Sequence, residues 1–597
     1  MGAALPSTPE EAGYDQYYGQ SSLVSLVNQY AQKSPGRQSV QSQGGSSIPS
    51  LLASSANSAG ANTSSTNMTV LLSDDFSLPP RRLADWLLEV YFANNHIFYP
   101  WVHKHTFMAS YENIWTNQSD DADAVLPDVG LGSHNCPSRL FHCALNAMFA
   151  IACEFSDMDP CHKRNSSMMF YERMKSSMNI DILDSGSLAH VQALLLIAIY
   201  LQCTPYPKRC WNVIGMAHRM AVGLGLQNRR QFNNLNVLEK EIRWRAWCAC
   251  VQMDIISSMT MGRPPMTPDS SHIPLPSPVD DKHLAAGNQE AQQPKGTIST
   301  NQFLHQNMRL IGILWKILLK IYRSEDEGPA EESSSAPEGF KAIMDLDRLL
   351  EEFKASLPPI FAWGSPSSQN TEHTFRRQSN VLHARYLHLK LLLYRPTFSA
   401  YCSGVSSEFN QTQPDSWSIM YQQNAALKCV RAACDLIHSL SEATTEDATG
   451  AWWYGVFYLI SAGIVLLLAE SSGASLEGIT ADQQECSWNE CLETLNRMVS
   501  VHPSARDYSL ALHNIRLTYR SEMKKGPDQT RHSQMPLAVS SHYQMDEIQA
   551  SVMHADQVEP NILSPFFKNW DAELGDIMLP AQFLQELDEG LLLPNLF

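Results

Sequence analysis

Residues 241–265 read EIRWRAWCACVQMDIISSMTMGRPP, and this stretch decides the fold. Apolar side chains recur through it as far as Met261, with no glycine or proline among them. A glycine at a helix end adopts the left-handed conformation that other residues avoid, and a proline soon after cannot continue the helix. The sequence therefore predicts one long helix over Glu241–Met261, closed by Gly262 and then by Pro264-Pro265.

Helical patterns continue on both sides of this stretch. Apolar residues at helical spacing from Leu83 to Tyr91 predict an amphipathic helix that begins near Pro79-Pro80. Alternating strands joined by Asn-Gly or Asp-Gly turns are not found, so we expect an all-α fold. Further helices are predicted at Leu188–Leu201, Trp211–Leu226, Met308–Tyr322, Ile343–Ala355, Val381–Tyr394, Asn424–Leu440 and Ala451–Ala469.

Composition divides the 597-residue chain into three parts. Residues 1–80 are rich in Ser, Gly, Gln and Asn, so they cannot bury enough apolar surface to offset their ordering entropy, and we expect disorder. Residues 84–515 carry the helical patterns of one large multi-helix domain. Residues 516–597 form a linker and an acidic, hydrophobic tail.

The charge balance works against direct DNA binding by the chain as a whole. There are 43 Lys and Arg against 61 Asp and Glu, a net charge of -18, whereas phosphate backbones attract clustered basic residues. Met1–Glu10 show no basic region followed by an apolar run, so no secretory signal is expected. The 13 cysteines lack the spacing of a disulfide scaffold, which indicates free thiols in a reducing compartment.

One uncharged segment, AWWYGVFYLISAGIVLLLA at Ala451–Ala469, is long enough to cross a membrane. A helix buried on all sides of a large helical protein has the same composition. No second segment of similar strength accompanies it, so we interpret it as a core helix and expect no membrane partner.

Motifs for catalysis, metals and nucleotides are missing from the sequence. Cys248 and Cys250 would point about 200° apart on a helix and cannot share one ion. Three loop histidines, His96, His103 and His105, fit structural hydrogen bonding better than a metal site. Neither a dinucleotide fingerprint nor a phosphate-binding lysine loop is found. We therefore expect no enzyme activity and no cofactor or metal in this chain.

Four stretches, taken in order, resemble the middle homology region of fungal zinc-cluster (binuclear six-cysteine) transcription factors. They are Tyr91–Phe107, Gly215–Leu226, Glu241–Pro264, and His383–Pro396 with Cys429 and Trp452 after it. The resemblance implies a regulatory helical domain over residues 84–515. It marks as structural motif residues Pro100, Gly215, Glu241, Arg245, Trp247, Asp254, Gly262, Arg263, Pro264, Arg395 and Pro396.

Ordinary physical roles fit these motif residues. Pro100 is expected to end the first helix, and Glu241 can pair with Arg245 one helical turn away. Gly262 can supply a left-handed helix end whose carbonyls Arg263 can bind. Ile255 stands where the family usually has a charged residue, which weakens any ion-pair network expected at Asp254.

One departure from the family concerns DNA reading. The family reads DNA with an N-terminal cluster of six cysteines that hold two zinc ions, but the first cysteine here is Cys136. Residues 1–135 therefore hold no such cluster. We expect DNA contact through a partner, or through a cluster encoded upstream, and zinc only in the second case.

The last 39 residues, Glu559–Phe597, mix seven acidic residues and one lysine with bulky apolar ones. This composition is typical of activation segments that fold on a partner groove, although a terminal helix docked on the core would look similar. The residues expected to contact a coactivator are Phe566, Phe567, Trp570, Phe583 and Leu587.

The resemblance implies a nuclear regulator of RNA polymerase II genes, set over a metabolic or secondary-metabolite gene cluster. Its partners would be the transcription machinery and a zinc-cluster relative. Two alternatives stay open at this point. One is a helical metabolite-binding protein or enzyme outside transcription, and the other is a scaffold that pairs with a full-length relative.

Overall fold

The residues that the computed structural model describes form separate blocks along the chain. They are residues 19–23, 25–27, 78–116, 127–178, 186–204, 206–268, 275–284, 292–322, 336–363, 372–403, 416–445, 448–472, 478–501 and 504–525.

Within the described residues all regular structure is helical, and no strand is present. The fold is therefore all-α, as predicted. The helices are α1 (Arg81–Asn94), α2 (Lys104–Thr116), α3 (Ser138–Phe155), α4 (Pro160–Ser177), α5 (Leu188–Gln202), α6 (Pro207–Gly223), α7 (Val237–Met261), α8 (Gln302–Ile321), α9 (Ala336–Ala355), α10 (His373–Ser403), α11 (Ser416–Thr445), α12 (Trp452–Ser472), α13 (Ala481–Arg497) and α14 (Ser504–Lys525).

The ends of α7 follow from its sequence. Asn236 caps the start, because its side-chain oxygen accepts the backbone N–H of Glu239 at 2.8 Å. Gly262 closes the helix with φ at +69°, the left-handed conformation predicted for it. The helix begins four residues before the predicted start, since Val237 to Lys240 continue the pattern behind the asparagine cap.

One continuous core joins the helices. Helices next to each other in sequence pack closely, most extensively α10 with α11, α3 with α4, and α5 with α6. Nearly every residue of α5 is buried, so this helix forms the middle of the N-terminal half. In the C-terminal half α12 has the same position, surrounded by α10, α11, α13 and α14.

Among the described helices, only α12 is both long and apolar enough to cross a membrane. In the structure 89% of its most apolar window is buried against other helices. Core packing therefore covers the apolar surface that raised the question of a membrane span.

The structure corrects two expectations about proline. The first helix ends at Asn94, six residues before Pro100, which lies buried in the following loop. A turn closes α1, because the N–H groups of Asn95 and His96 both bond to the Tyr91 carbonyl. Conversely, α10 runs through Pro396 to Ser403, although the predicted helix stops at Tyr394.

Candidate functional site

The first cluster of motif residues surrounds Arg245, whose side chain is completely buried. Its Nε donates to Glu241 Oε1 at 3.0 Å, which is the pair that the one-turn spacing predicts. Its Nη1 donates to Asp281 Oδ1 at 2.6 Å, and its Nη2 to the Val279 carbonyl at 3.0 Å. One guanidinium therefore ties the middle of α7 to the loop before α8.

Asp281 extends this network towards the start of the domain. Its second oxygen lies 3.6 Å from His96 Nε2 and accepts the backbone N–H of Lys104 at 3.3 Å. Burial alone would raise the pKa of Asp281, but the Arg245 guanidinium and His96 hold it far below its usual range. The carboxylate is therefore charged at neutral pH and links α2, α7 and the loop after α1.

Two of the three loop histidines have partners within the protein. His96 faces Asp281, and His103 binds Thr106 and the Asp281 carbonyl. No group of metal-binding side chains is found among the described residues.

Asp254 forms a second cluster two turns further along α7. It is fully buried and accepts the backbone N–H of Met266 at 3.2 Å, and the backbone N–H and hydroxyl of Thr267 at 2.9 Å each. These donors hold the chain that turns back after Pro264-Pro265. Asp254 thus holds this loop through backbone and hydroxyl donors. Because none of these donors is a charged side chain, the uncharged Ile255 beside it is compatible with this role.

The third cluster lies at the end of α7, where it receives the chain's N-terminal region. Residues 19–23 and 25–27, here called the docking segment, pack on the domain. The Gly19 N–H donates to the Met261 carbonyl at 3.1 Å, and Ser21 Oγ donates to the Met259 carbonyl at 3.0 Å. A Cβ on Gly262 would lie under 3.0 Å from the Gly19 backbone, so only glycine fits there.

Arg395 on α10 holds the same segment from the other side. Its guanidinium donates to the Gln20 carbonyl and lies 5.3 Å from the centre of the Tyr322 ring. Leu23 and Leu26 are buried in the core next to these contacts. The motif stretches that contain Gly262 and Arg395, about 130 positions apart in sequence, therefore both contact the docking segment.

Composition predicts disorder for residues 1–80, and the docking segment is an ordered part of that range. The other residues before Leu78 lie outside the described blocks. A local signal for docking was present in the pair of leucines at positions 23 and 26, three residues apart. Without the groove between α7 and α10 that signal is too short to predict packing.

The remaining motif residues make separate contacts. Gly215 lies on α6, and the space where a side-chain methyl group would stand is open, with no atom within 4 Å. Pro264 lies exposed in the turn after α7. The Arg263 guanidinium lies 5.0 Å from the centre of the Trp211 ring, and Trp247 packs against His218. The tail residues Phe566, Phe567, Trp570, Phe583 and Leu587 lie outside the described residues.

A cavity of about 130 Å³, which the sequence patterns did not predict, is bounded by α3, α4, α5 and α14, and its lining is more apolar than polar. Glu154 at the end of α3 lines it and accepts a hydrogen bond from Ser167 Oγ at 2.8 Å. Ser167 Oγ also lies 3.1 Å from the Tyr200 hydroxyl. Lys163 and Tyr171 also line this space, which is here called the Glu154 cavity.

Burial disfavours both charges of the Glu154 cavity. It raises the pKa of Glu154, against the effects of Ser167, Lys163 and the Trp452 indole. It lowers the pKa of Lys163, against the attraction of Glu154. The two groups interact through space without an ion pair within 4 Å. One sequence signal existed, since no other Asp, Glu, Lys or Arg lies between Arg139 and Asp157.

A comparison with known families matches residues 88–355 to the fungal specific transcription factor domain. The matched range contains the Arg245 and Asp254 clusters, Gly262 itself, and the cavity residues Glu154, Lys163 and Tyr200, whereas the docking segment lies before it. Arg395 lies beyond it. No solved structure matches the chain.

Curated relatives are similar to a large part of the chain. Transcription factor FBD3 of Gibberella moniliformis is 26% identical over 65% of this chain and 50% of its own length. Sorbicillinoid biosynthetic cluster transcription factor 2 of Penicillium rubens is 25% identical over 67% of this chain and 56% of its own. Activator of stress genes 1 of Saccharomyces cerevisiae is 24% identical over 49% and 29%. The chain spans about half the length of the first two relatives.

Proposed function

We propose that this chain is a nuclear regulator of genes transcribed by RNA polymerase II, because residues 88–355 match the fungal specific transcription factor domain. The domain match carries the proposal. Relatives that are named as transcription factors support it, and they favour a regulatory role over an enzymatic one. The helical region of residues 84–515 would act as one regulatory unit, since its core is continuous from α1 to α14.

The regulated genes would belong to a metabolic or secondary-metabolite cluster. The relative from Penicillium rubens, named for a biosynthetic cluster, supports this setting. DNA contact would come from a zinc-cluster partner or from a zinc cluster outside this chain, because the net charge of -18 disfavours direct binding.

The acidic tail at Glu559–Phe597 would recruit a coactivator. Bulky apolar residues spaced among carboxylates can enter a hydrophobic groove, while charge repulsion keeps them available. The proposed contacts are the side chains of Phe566, Phe567, Trp570, Phe583 and Leu587.

A reporter assay tests the tail. Residues 559–597 fused to a heterologous DNA-binding domain should activate a reporter gene, and alanine at the five proposed contacts should abolish activation. A matched control replaces the polar neighbours Asn569, Gln582 and Gln585 with alanine and should retain activity. If the unmodified tail gives no activation, the coactivator role is wrong.

Nuclear location has a separate test. The full chain carrying a fluorescent tag should accumulate in the nucleus of a fungal cell. Exclusion from the nucleus under all growth conditions would remove the proposed role in transcription.

A further inference from the structure

Four charged residues line the Glu154 cavity, and two of them, Glu154 and Lys163, are buried, have opposite charges and are not in direct contact. Glu154 is 7% exposed and Lys163 is 6% exposed, so both are inside the protein. Buried charges are normally paired and hydrogen-bonded, because each loses its hydration on burial. Here no N···O pair within 4 Å joins them, although each acts on the other through space.

The polar groups around the cavity do not supply a hydrogen bond to every oxygen of Glu154. Ser167 binds one Glu154 oxygen, and the second oxygen is buried with no hydrogen-bond partner. The nearby Trp452 indole lowers the pKa of Glu154 and so favours its charged form. The hydroxyl groups of Tyr171 and Tyr200 line the same space. A molecule with a cationic group near Glu154 and an anionic group near Lys163 would pair with both buried residues.

The size of the cavity limits what can enter. An apolar cavity of about 150 Å³ accepts benzene, which has about six non-hydrogen atoms. The Glu154 cavity has about 130 Å³ and so fits a molecule of similar size. Its lining is also largely apolar, but it includes Glu154, Lys163 and Ser167, which a wholly apolar site would lack.

We propose that the Glu154 cavity binds a small zwitterionic α-amino acid, with the ammonium group at Glu154 and the carboxylate at Lys163. The hydroxyls of Ser167, Tyr171 and Tyr200 supply the remaining hydrogen bonds. The site goes beyond the proposed function, since it gives the helical domain a ligand of stated chemistry. Asp507 on α14 lies exposed at the same cavity, so an occupant would contact both the matched domain and the last described helix.

Calorimetric titration of the purified full chain tests the proposal with glycine, L-alanine, L-serine and L-valine. At least one of them should bind with a Kd below about 1 mM and should raise the Tm. Propionate and ethylamine, which each keep one charged group of L-alanine, should bind at least about tenfold more weakly, because each leaves one buried charge unmatched.

Substitutions locate the site. Glu154→Gln and Lys163→Met should each weaken amino-acid binding at least about tenfold. The matched control is Glu172→Gln with Lys175→Met, an exposed pair 2.9 Å apart on the same helix as Lys163, and it should leave binding unchanged.

Three results would overturn the proposal. They are a Kd above about 1 mM for all four amino acids, equal binding of propionate or ethylamine, and unchanged binding in both cavity variants. The analogue comparison uses the unmodified chain, so it decides even where a variant fails to fold. Binding is measured without transcription, so its failure and that of the reporter assay are distinguishable.

Discussion

Replacement of Gly262 by alanine should detach the docking segment and destabilise the domain. The backbone there has φ at +69°, and a non-glycine residue in this conformation costs about 1–2 kcal/mol. The added methyl group would also overlap the Gly19 backbone, so the segment must move away. Movement exposes Leu23 and Leu26, each of which contributes about 1.5–3 kcal/mol when fully buried.

The net loss is smaller than the sum of these values, because the released segment regains conformational entropy. We expect the free energy of unfolding to fall by about 2–4 kcal/mol for Gly262→Ala. Gly215→Ala is the matched control, since it lies inside a helix where nothing approaches its Cβ position within 4 Å. Alanine in that setting should stabilise the protein by about 0.5–1 kcal/mol.

Urea unfolding followed by circular dichroism measures both variants, and hydrogen exchange reports the segment directly. The amide of Gly19, bonded to the Met261 carbonyl, should lose its protection in Gly262→Ala and keep it in Gly215→Ala. Equal stability of the two variants, with the Gly19 amide still protected in Gly262→Ala, would refute the requirement for glycine at position 262. An unprotected Gly19 amide in the unmodified chain would refute the docking of this segment on α7.

Buried and exposed side chains elsewhere in the domain provide three further predictions. Arg245→Met leaves two buried carboxylates without their cation, so urea denaturation should show a loss of about 3–5 kcal/mol. Burial and the Arg395 charge lower the pKa of His388 to about 3, so the folded chain keeps this histidine neutral while the unfolded chain protonates it below about pH 6.5. Stability should therefore fall as the pH drops from about 6.5 towards 3, with a slope of up to about 1.4 kcal/mol per pH unit, and His388→Phe should reduce that slope without changing the ring packing. Cys161 and Cys486 are the exposed thiols among the described residues, so a thiol reagent should label them rapidly in the native chain, and serine at both positions should remove the fast phase.

The sequence was most informative where the determining contacts are local. A glycine after a long apolar helix predicts its left-handed end at Gly262, and a spacing of four residues predicts the pair of Glu241 and Arg245. Both follow from helix geometry alone. The apolar run of α12 predicted its helix but not its surroundings, because membrane and protein interior select the same side chains.

The parts that the sequence did not predict depend on distant contacts. Asp281 completes the Arg245 site from 36 positions away, through a loop whose path only the packed structure defines. The docking segment is short and lies in a polar region, so composition predicts disorder until the groove between α7 and α10 is known. The Glu154 cavity depends on four helices, and only one uncharged stretch around Glu154 indicated it.

The central claim is that this chain regulates transcription, and chromatin immunoprecipitation tests it most directly. The tagged full chain in its native cells should be enriched at promoters of a small set of genes, either through a partner or through a zinc cluster outside this chain. Transcripts of those genes should change when the chain is deleted. An absence of enrichment at any promoter, together with unchanged transcripts after deletion, would contradict the account.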